Sequence, residues 1–504
     1  MLRLGSALAA FGIVASLAYG SANAKAQTGR DAKSIPGLDR ITNADIKRDI
    51  FKLAGDGFRG REAGTLNELR ASMWVADQAR AIGLEPAGED GTYFQWWPMR
   101  RIRLSDASVV TVGGATLKMW SDVVVTPVTD ATLDLPLVFV GQGSDAEIEG
   151  VDLTGKAVAA MLVAPPNPPA RNLSLANWRY AGAAVRAQSA RLLARGAAAV
   201  VLVADSVAEG AFGFYAATSG RGSYSIDTVG SVKRPRAQAP VLLVRQALEP
   251  QVKASGARLT TTLTSESFTY PSVNIVAKLR GTDATLREEY VLYSAHQDHD
   301  GVRFPINGDS IWNGADDNAT VSVALLGIAR ALVKNPTKRP ALFVWHGAEE
   351  RGLLGSRWHS RFPMVPLSQI AAVLNADMIG RNNPDSAALM GAQPPHRNST
   401  DLVELALRAN DLTAKFALDT LWDRPTHPEG WYFRSDHLPY ARLNIPAIEY
   451  STNLHPDYHT PKDEPDRIDI EKLRRMTQWM YATGWLVGNA AQRPRLDPGF
   501  KLER

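Results

Sequence analysis

Cysteine is absent from all 504 residues. Disulfides and thiolate metal sites are thereby excluded, and any transition metal must be held by nitrogen and oxygen ligands. Histidine is missing from the first 295 residues; all nine lie at or after His296. Metal chemistry in the first half would therefore rest on carboxylates alone. Long runs of one charge are missing too, and the formal net charge is only +4. The cluster Lys233, Arg234, Arg236 is short and has no interleaved aromatics, which reads as a solvated loop and not as a nucleic-acid surface. No apolar run reaches the ~20 residues that cross a bilayer.

The longest apolar run near the start, Ala7–Tyr19, follows Arg3 and precedes small residues. Ala22-Asn23-Ala24 fits a cleavage site, with Ala24-Lys25-Ala26 as a close rival. Residues 1–24 are thus expected to be a secretory signal peptide, the alternative being an uncleaved anchor. The mature chain is expected in a periplasm or secreted, without stable membrane insertion, and a large exported chain without cysteine suits a bacterial setting. Hydrophobic residues make up 45% and charged residues 21%, a globular balance, and the length calls for two domains. No oligomeric state is legible.

Thr42 and Asn43 can cap a helix whose apolar stripe is Ile46, Ile50, Phe51 and Leu53, and Gly55 stops it. A second helix spans 66–82. Between Trp120 and Thr264, β-type runs at Leu137–Val140, Val158–Val163 and Ala198–Val203 surround an Ala-rich helix. We read 120–264 as an inserted, mixed β-rich module without chemistry of its own. After Pro271, strand-like runs at Val273–Leu279, Tyr290–Ala295, Ala341–Trp345, Ile370–Leu374 and Ala447–Tyr450 alternate with helical stretches. That rhythm predicts an α/β domain with a largely parallel sheet and helices on both faces, built from 36–119 and 265–490.

Five motifs sit just past these strands or in loops. Ser294-Ala-His296-Gln-Asp298-His-Asp300 follows the first strand; His296 can ligate a metal through one ring nitrogen while Asp298 receives the other N–H. A lone His at a strand end is more commonly a satisfied core residue. Asn313-Gly-Ala-Asp-Asp317-Asn-Ala opens an amphipathic helix, and could equally be an acidic N-cap. Glu349-Glu350 follows the third strand; adjacent carboxylates point apart, so one can ligate while its neighbour takes a proton from water. Asp377 follows a further strand, where a buried carboxylate needs a partner or a metal. His459 lies in a loop between Pro456 and Pro461. Each signal is modest alone. Together they bring nitrogen and oxygen donors for two cations to one sheet edge.

These motifs resemble those of the bacterial co-catalytic two-zinc aminopeptidases, kin to glutamate carboxypeptidase II and the transferrin receptor ectodomain. Gly-Arg61-Glu-Ala-Gly-Thr and Arg434-Ser-Asp-His-Leu-Pro-Tyr440 add to the likeness. The resemblance implies an α/β core of the phosphorylase/hydrolase type, around a mixed sheet, and a protease-associated domain in the insert. It implies two zinc ions, with Asp317 as the bridge. His296 and Asp377 would complete one site, and Glu350 and His459 the other. It makes Glu349 the general base, Asp298 the partner of His296, and Tyr458 an oxyanion donor. Preferring Asp317 to Asp316 rests on motif register. One departure is Asn-Ala-Thr-Val321, where the family commonly has Ser-Gly after the acidic pair. The implied substrates are peptides with a free N-terminus, and Trp431-Tyr432-Phe433 either lines the side-chain pocket or is ordinary packing. The rivals are a carboxypeptidase on the same scaffold, with Arg381 and Arg434 as carboxylate anchors, a non-catalytic receptor-like relative, and a single-zinc glutaminyl cyclase.

Overall fold

A computed structural model describes residues 35–227 and 238–503. The expected signal peptide and the Lys233, Arg234, Arg236 cluster lie outside the described residues. Among the described residues no helix is long and apolar enough to cross a membrane.

Four parallel strands form the centre of the main sheet, in the order Ala341–His346, Tyr290–His296, Ile370–Ala376, Ala447–Ser451. They are buried over nearly their whole length, as strands covered on both faces must be. Alternation along each strand divides their side chains between two layers. Tyr293, Phe343 and Trp345 stack in one, where the Trp345 indole donates to the Ser322 carbonyl (3.0 Å) of helix Thr320–Lys334. Helix Ile470–Asn489 joins that layer. A Cβ at Gly484 would lie 1.8 Å from the Tyr293 hydroxyl, so only glycine lets the helix approach this closely. Leu292, Leu342 and Val344 pack on the opposite side against Tyr440 and Ala441 of the short helix His437–Ala441.

Beyond this centre the pairing turns antiparallel. Ser265–Leu279 pairs with Ala341–His346 and with Phe94–Leu104, and Ser386–Met390 pairs with Ala447–Ser451. The fold is mixed α/β, and the four strands that carry the site are parallel to one another. Helix Asn43–Leu53 starts at Thr42, whose hydroxyl accepts the Asp45 N–H (3.1 Å). Phe51, expected in its buried stripe, is 44% exposed, while Ile46, Ile50 and Leu53 are buried.

The second region differs from its expectation in two ways. Its eight-stranded sheet starts at Val109, ahead of residue 120, and runs to Leu263. Helices stand among its strands, the expected Ala-rich one at Ala176–Ala194. Strands Ala131–Phe139, Ala157–Met161, Ala199–Val203 and Val241–Val244 run parallel, and helices Ala176–Ala194 and Ser206–Ser219 pack on them. Parallel neighbours need long crossovers, and those helices supply the last two of the three. Strand Ser223–Ile226, inside the expected insert, instead pairs with Phe94–Leu104 of the main sheet.

Candidate metal centre

The carboxyl ends of the four central strands place the donors. His296 is the last residue of its strand, and Asp377 follows Ala376. Glu349 and Glu350 open the short turn after His346, and His459 lies in the loop after Ser451. Asp317 comes from an irregular turn, Ala315–Ala319, that leads into helix Thr320–Lys334. Its peptide to Asn318 is cis. Backbone conformations with φ above zero cluster at these points: Ala348 (53°), Met378 (57°) and His459 (51°). Such non-glycine conformations persist only where the surroundings hold them.

The carboxylate of Asp317 divides between two groups. Its Oδ1 lies 3.3 Å from His296 Nε2, and its Oδ2 lies 3.0 Å from His459 Nε2. On the first side, His296 Nε2 is 3.5 Å from Asp377 Oδ1 and 3.7 Å from Glu349 Oε2. On the second, Glu350 Oε2 is 3.1 Å from His459 Nε2. All five expected ligands thus converge, together with Glu349. Asp316 points elsewhere: its Oδ1 accepts the Gly380 N–H (2.7 Å) and its Oδ2 is 3.4 Å from His455.

Asp298 departs from its expected contact. His296 Nδ1 is 3.2 Å from the main-chain oxygen of Asp298 and 3.8 Å from its carboxylate. The carboxylate instead accepts the main-chain N–H of Glu349 at 3.0 Å. Tyr458 stacks on the His459 ring with 3.9 Å between centroids. Of the aromatic triplet, Trp431 packs edge-on against Tyr458 (6.3 Å), whereas Tyr432 is core, stacked on His396 (4.2 Å).

Two braces around the site had no sequence signal of that role. Arg61, buried, donates to the carbonyls of Leu53, Gln297, Asn313 and Gly314 at 2.6–3.0 Å, tying both ligand loops to one guanidinium. Asp463, also buried, accepts the N–H groups of Asp316 and Asp317 at 3.0–3.1 Å and fixes the turn that aims the Asp317 carboxylate. Arg61 falls inside a resemblance motif, but nothing local marks either residue as a brace.

The electrostatics separate neighbouring carboxylates. Burial, then the charges of Asp377 and Glu350, push Glu349 well above its usual range. Glu350 is held well below it, because His459 and His299 outweigh burial. Burial raises Asp377 to about 6. For His459, burial works downward but the Glu350 and Asp300 carboxylates prevail and raise it to about 10. A bound dication would be the largest charge here and would draw the carboxylates to their ionised forms.

The donor set fits zinc. His296 Nε2, Asp377 Oδ1 and Glu350 Oε1 are buried without hydrogen-bond partners among the described residues, and they belong to the two converging donor groups. Buried polar atoms are ordinarily paired, and imidazole with carboxylate is a zinc donor set.

Residues 274–484 match Peptidase family M28. An aminopeptidase of Bacillus subtilis strain 168 is 25% identical over 243 residues, 46% of this chain and 49% of its own. Leupeptin-inactivating enzyme 1 of Streptomyces exfoliatus is 42% identical over 82 residues, 15% and 18% of the two chains. The chain spans 49% to 60% of the length of the first curated relatives it matches. A zinc aminopeptidase structure from Bacillus subtilis superposes with a TM-score of 0.56 at 17% identity, covering 92% of this chain and 99% of that one. An aminopeptidase from Aneurinibacillus sp. strain AM-1 gives 0.55 at 18% identity, with 91% and 96% covered. At such identities the structural likeness speaks for the fold.

Proposed function

We propose, from the membership of residues 274–484 in peptidase family M28, that this chain is an exported metallo-aminopeptidase that removes N-terminal residues from peptides at a two-zinc centre. The observation that carries the reading is the divided Asp317 carboxylate, with one oxygen toward His296 and the other toward His459. Asp317, His296 and Asp377 would hold one ion, and Asp317, Glu350 and His459 the other. Bound there, the ions supply Lewis acidity toward the scissile carbonyl and toward water.

The chain's own residues move the protons. Glu349 takes the proton of the attacking water and returns it to the leaving amine. Asp298 positions it by holding its main-chain N–H at 3.0 Å. Burial and the Asp317 and Glu350 carboxylates keep the Tyr458 phenol protonated, so it can donate to the oxyanion. The carboxypeptidase alternative loses its anchors: Arg381 pairs with Asp457 (2.7 Å) and Arg434 with Glu429 (3.1 Å). We read the second sheet as the inserted protease-associated domain, supplying no metal ligand and shaping access. The short apolar run Ala7–Tyr19 and the Ala22-Asn23-Ala24 pattern support the reading of export, with cleavage near Lys25 or Gln27.

The test is a panel of aminoacyl amides, free and N-blocked, with and without chelator. Free substrates are expected to be cleaved, blocked ones spared, and activity to vanish with chelator and return with zinc. Release of C-terminal residues would favour the carboxypeptidase, and a metal-replete folded protein without turnover would favour the receptor-like relative.

A further inference from the structure

His299 lies beside the second donor group, and the two-zinc reading gives it no role. Its ring is fully buried, and among the described residues neither ring nitrogen has a hydrogen-bond partner. Its Nδ1 is 2.7 Å from Glu350 Oε1, yet the two are not aligned as a hydrogen bond. The same nitrogen is 4.0 Å from Asp317 Oδ1. The rings of His299 and His459 stand nearly perpendicular, at 86°, with centroids 5.4 Å apart.

The backbone commits the ring to this position. The His299 N–H donates to the Arg61 carbonyl (3.3 Å), whose own guanidinium holds the loop from Gln297. On the other side the ring presses on the turn that carries Asp317: a Cβ at Gly314 would lie 2.2 Å from His299 Cγ. Burying an imidazole with both nitrogens unbonded is unfavourable. Two lone-pair atoms converging on one point make a cation site.

We propose that His299 is a metal ligand, giving the site of Asp317, Glu350 and His459 a fourth protein donor. These four residues each offer an atom within one coordination-sized cluster. The inference rests on the two-metal reading and makes the centre asymmetric. Zinc with four protein ligands is closed, whereas three leave a position for water or substrate. The ion beside His299 is then tightly held and slow to exchange. The open position falls on the side of His296 and Asp377, next to Glu349.

The experiment compares wild type, His299→Gln and His296→Gln in zinc affinity, by competition with a chromophoric chelator. Melting of the metal-free proteins serves as the folding control. Wild type is expected to hold two ions of unequal affinity. His299→Gln should weaken the tighter one by about 100-fold or more, beyond the ~10–100-fold seen when outer hydrogen-bond partners of a ligand change. His296→Gln should weaken the other. Unchanged binding of both ions by a folded His299→Gln protein overturns the proposal. X-ray absorption of zinc-saturated wild type decides it without any variant. Three imidazoles over two ions are expected, and two would overturn it. Wild type that binds no zinc would instead overturn the two-metal reading itself.

Discussion

Glu349 and Glu350 are identical side chains, and only their surroundings separate them. The Glu350 carboxylate lies 3.1 Å from His459 and 2.7 Å from His299, while the Glu349 carboxylate stands 3.7 Å from His296. Glu349→Gln preserves shape but cannot accept a proton, so turnover is expected to fall ~10²–10⁴-fold with metal content unchanged. Glu350→Gln is expected to release one ion, with partial recovery of activity in added zinc. Turnover and metal analysis on both variants check this, and the opposite pattern would reverse the roles. Asp316 and Asp317 pose the same problem. Motif register favoured Asp317, and the reason it faces the histidines is the Asp463 carboxylate gripping the turn from 146 residues away in sequence.

At the scale of elements, the turn from Gly314 to Ala319 controls the centre. Gly314 has φ 58° and ψ 56°, and its missing Cβ would meet the Asp317 carbonyl and the His299 ring at 2.2 Å. Gly314→Ala combines a left-handed alanine with a backbone collision. A loss of roughly 2–4 kcal/mol is expected in urea unfolding of the metal-free protein, with weakened binding of at least one ion. A folded variant with wild-type metal affinity would show that the turn has slack. The sequence marked this segment as the opening of an amphipathic helix, and helix Thr320–Lys334 follows it. It marked a Gly-containing turn before the helix but not the path of that turn, because the distant Asp463 carboxylate holds it.

At the scale of the molecule, the second sheet's helices reach the rim of the site. Phe214 stacks on Trp312 (5.5 Å), Arg221 pairs with Glu62 (2.5 Å), and Arg179 pairs with Glu429 (3.3 Å), near Trp431. Arg179→Glu sets two carboxylates against each other there. KM for longer peptides is expected to change relative to KM for aminoacyl amides, with both ions retained; loss of metal would contradict the proposed division of labour. A pH effect is also global. Glu68 is buried against Ser272, and burial followed by the Asp298 charge raises it to about 8. A raised carboxyl favours folding fully below its ordinary 4.5, and that contribution is lost as pH rises through about 8. Glu68→Gln should therefore remove a downward slope of about 1.4 kcal/mol per pH unit between these limits. Urea midpoints of both proteins at pH 5 and pH 8 measure it, and parallel curves would count against the assignment.

The amino-acid sequence by itself determined the α/β character, the segments of the central strands, and the half of the chain where the chemistry lies. These follow from local properties: apolar runs, caps such as Thr42, and the confinement of histidine to the second half. Side chains just past parallel strands must share one edge, so the convergence of His296, Asp317, Glu349, Glu350, Asp377 and His459 was legible too. Tertiary structure decided what each atom touches. It turned the Asp298 carboxylate to Glu349, and it brought Arg61 to carbonyls 236 and 252 residues away. It pressed His299 against Glu350, and it began the second sheet at Val109. Contacts of such separation depend on how whole layers pack, and no spacing along the chain encodes the rotation of a carboxylate at their junction.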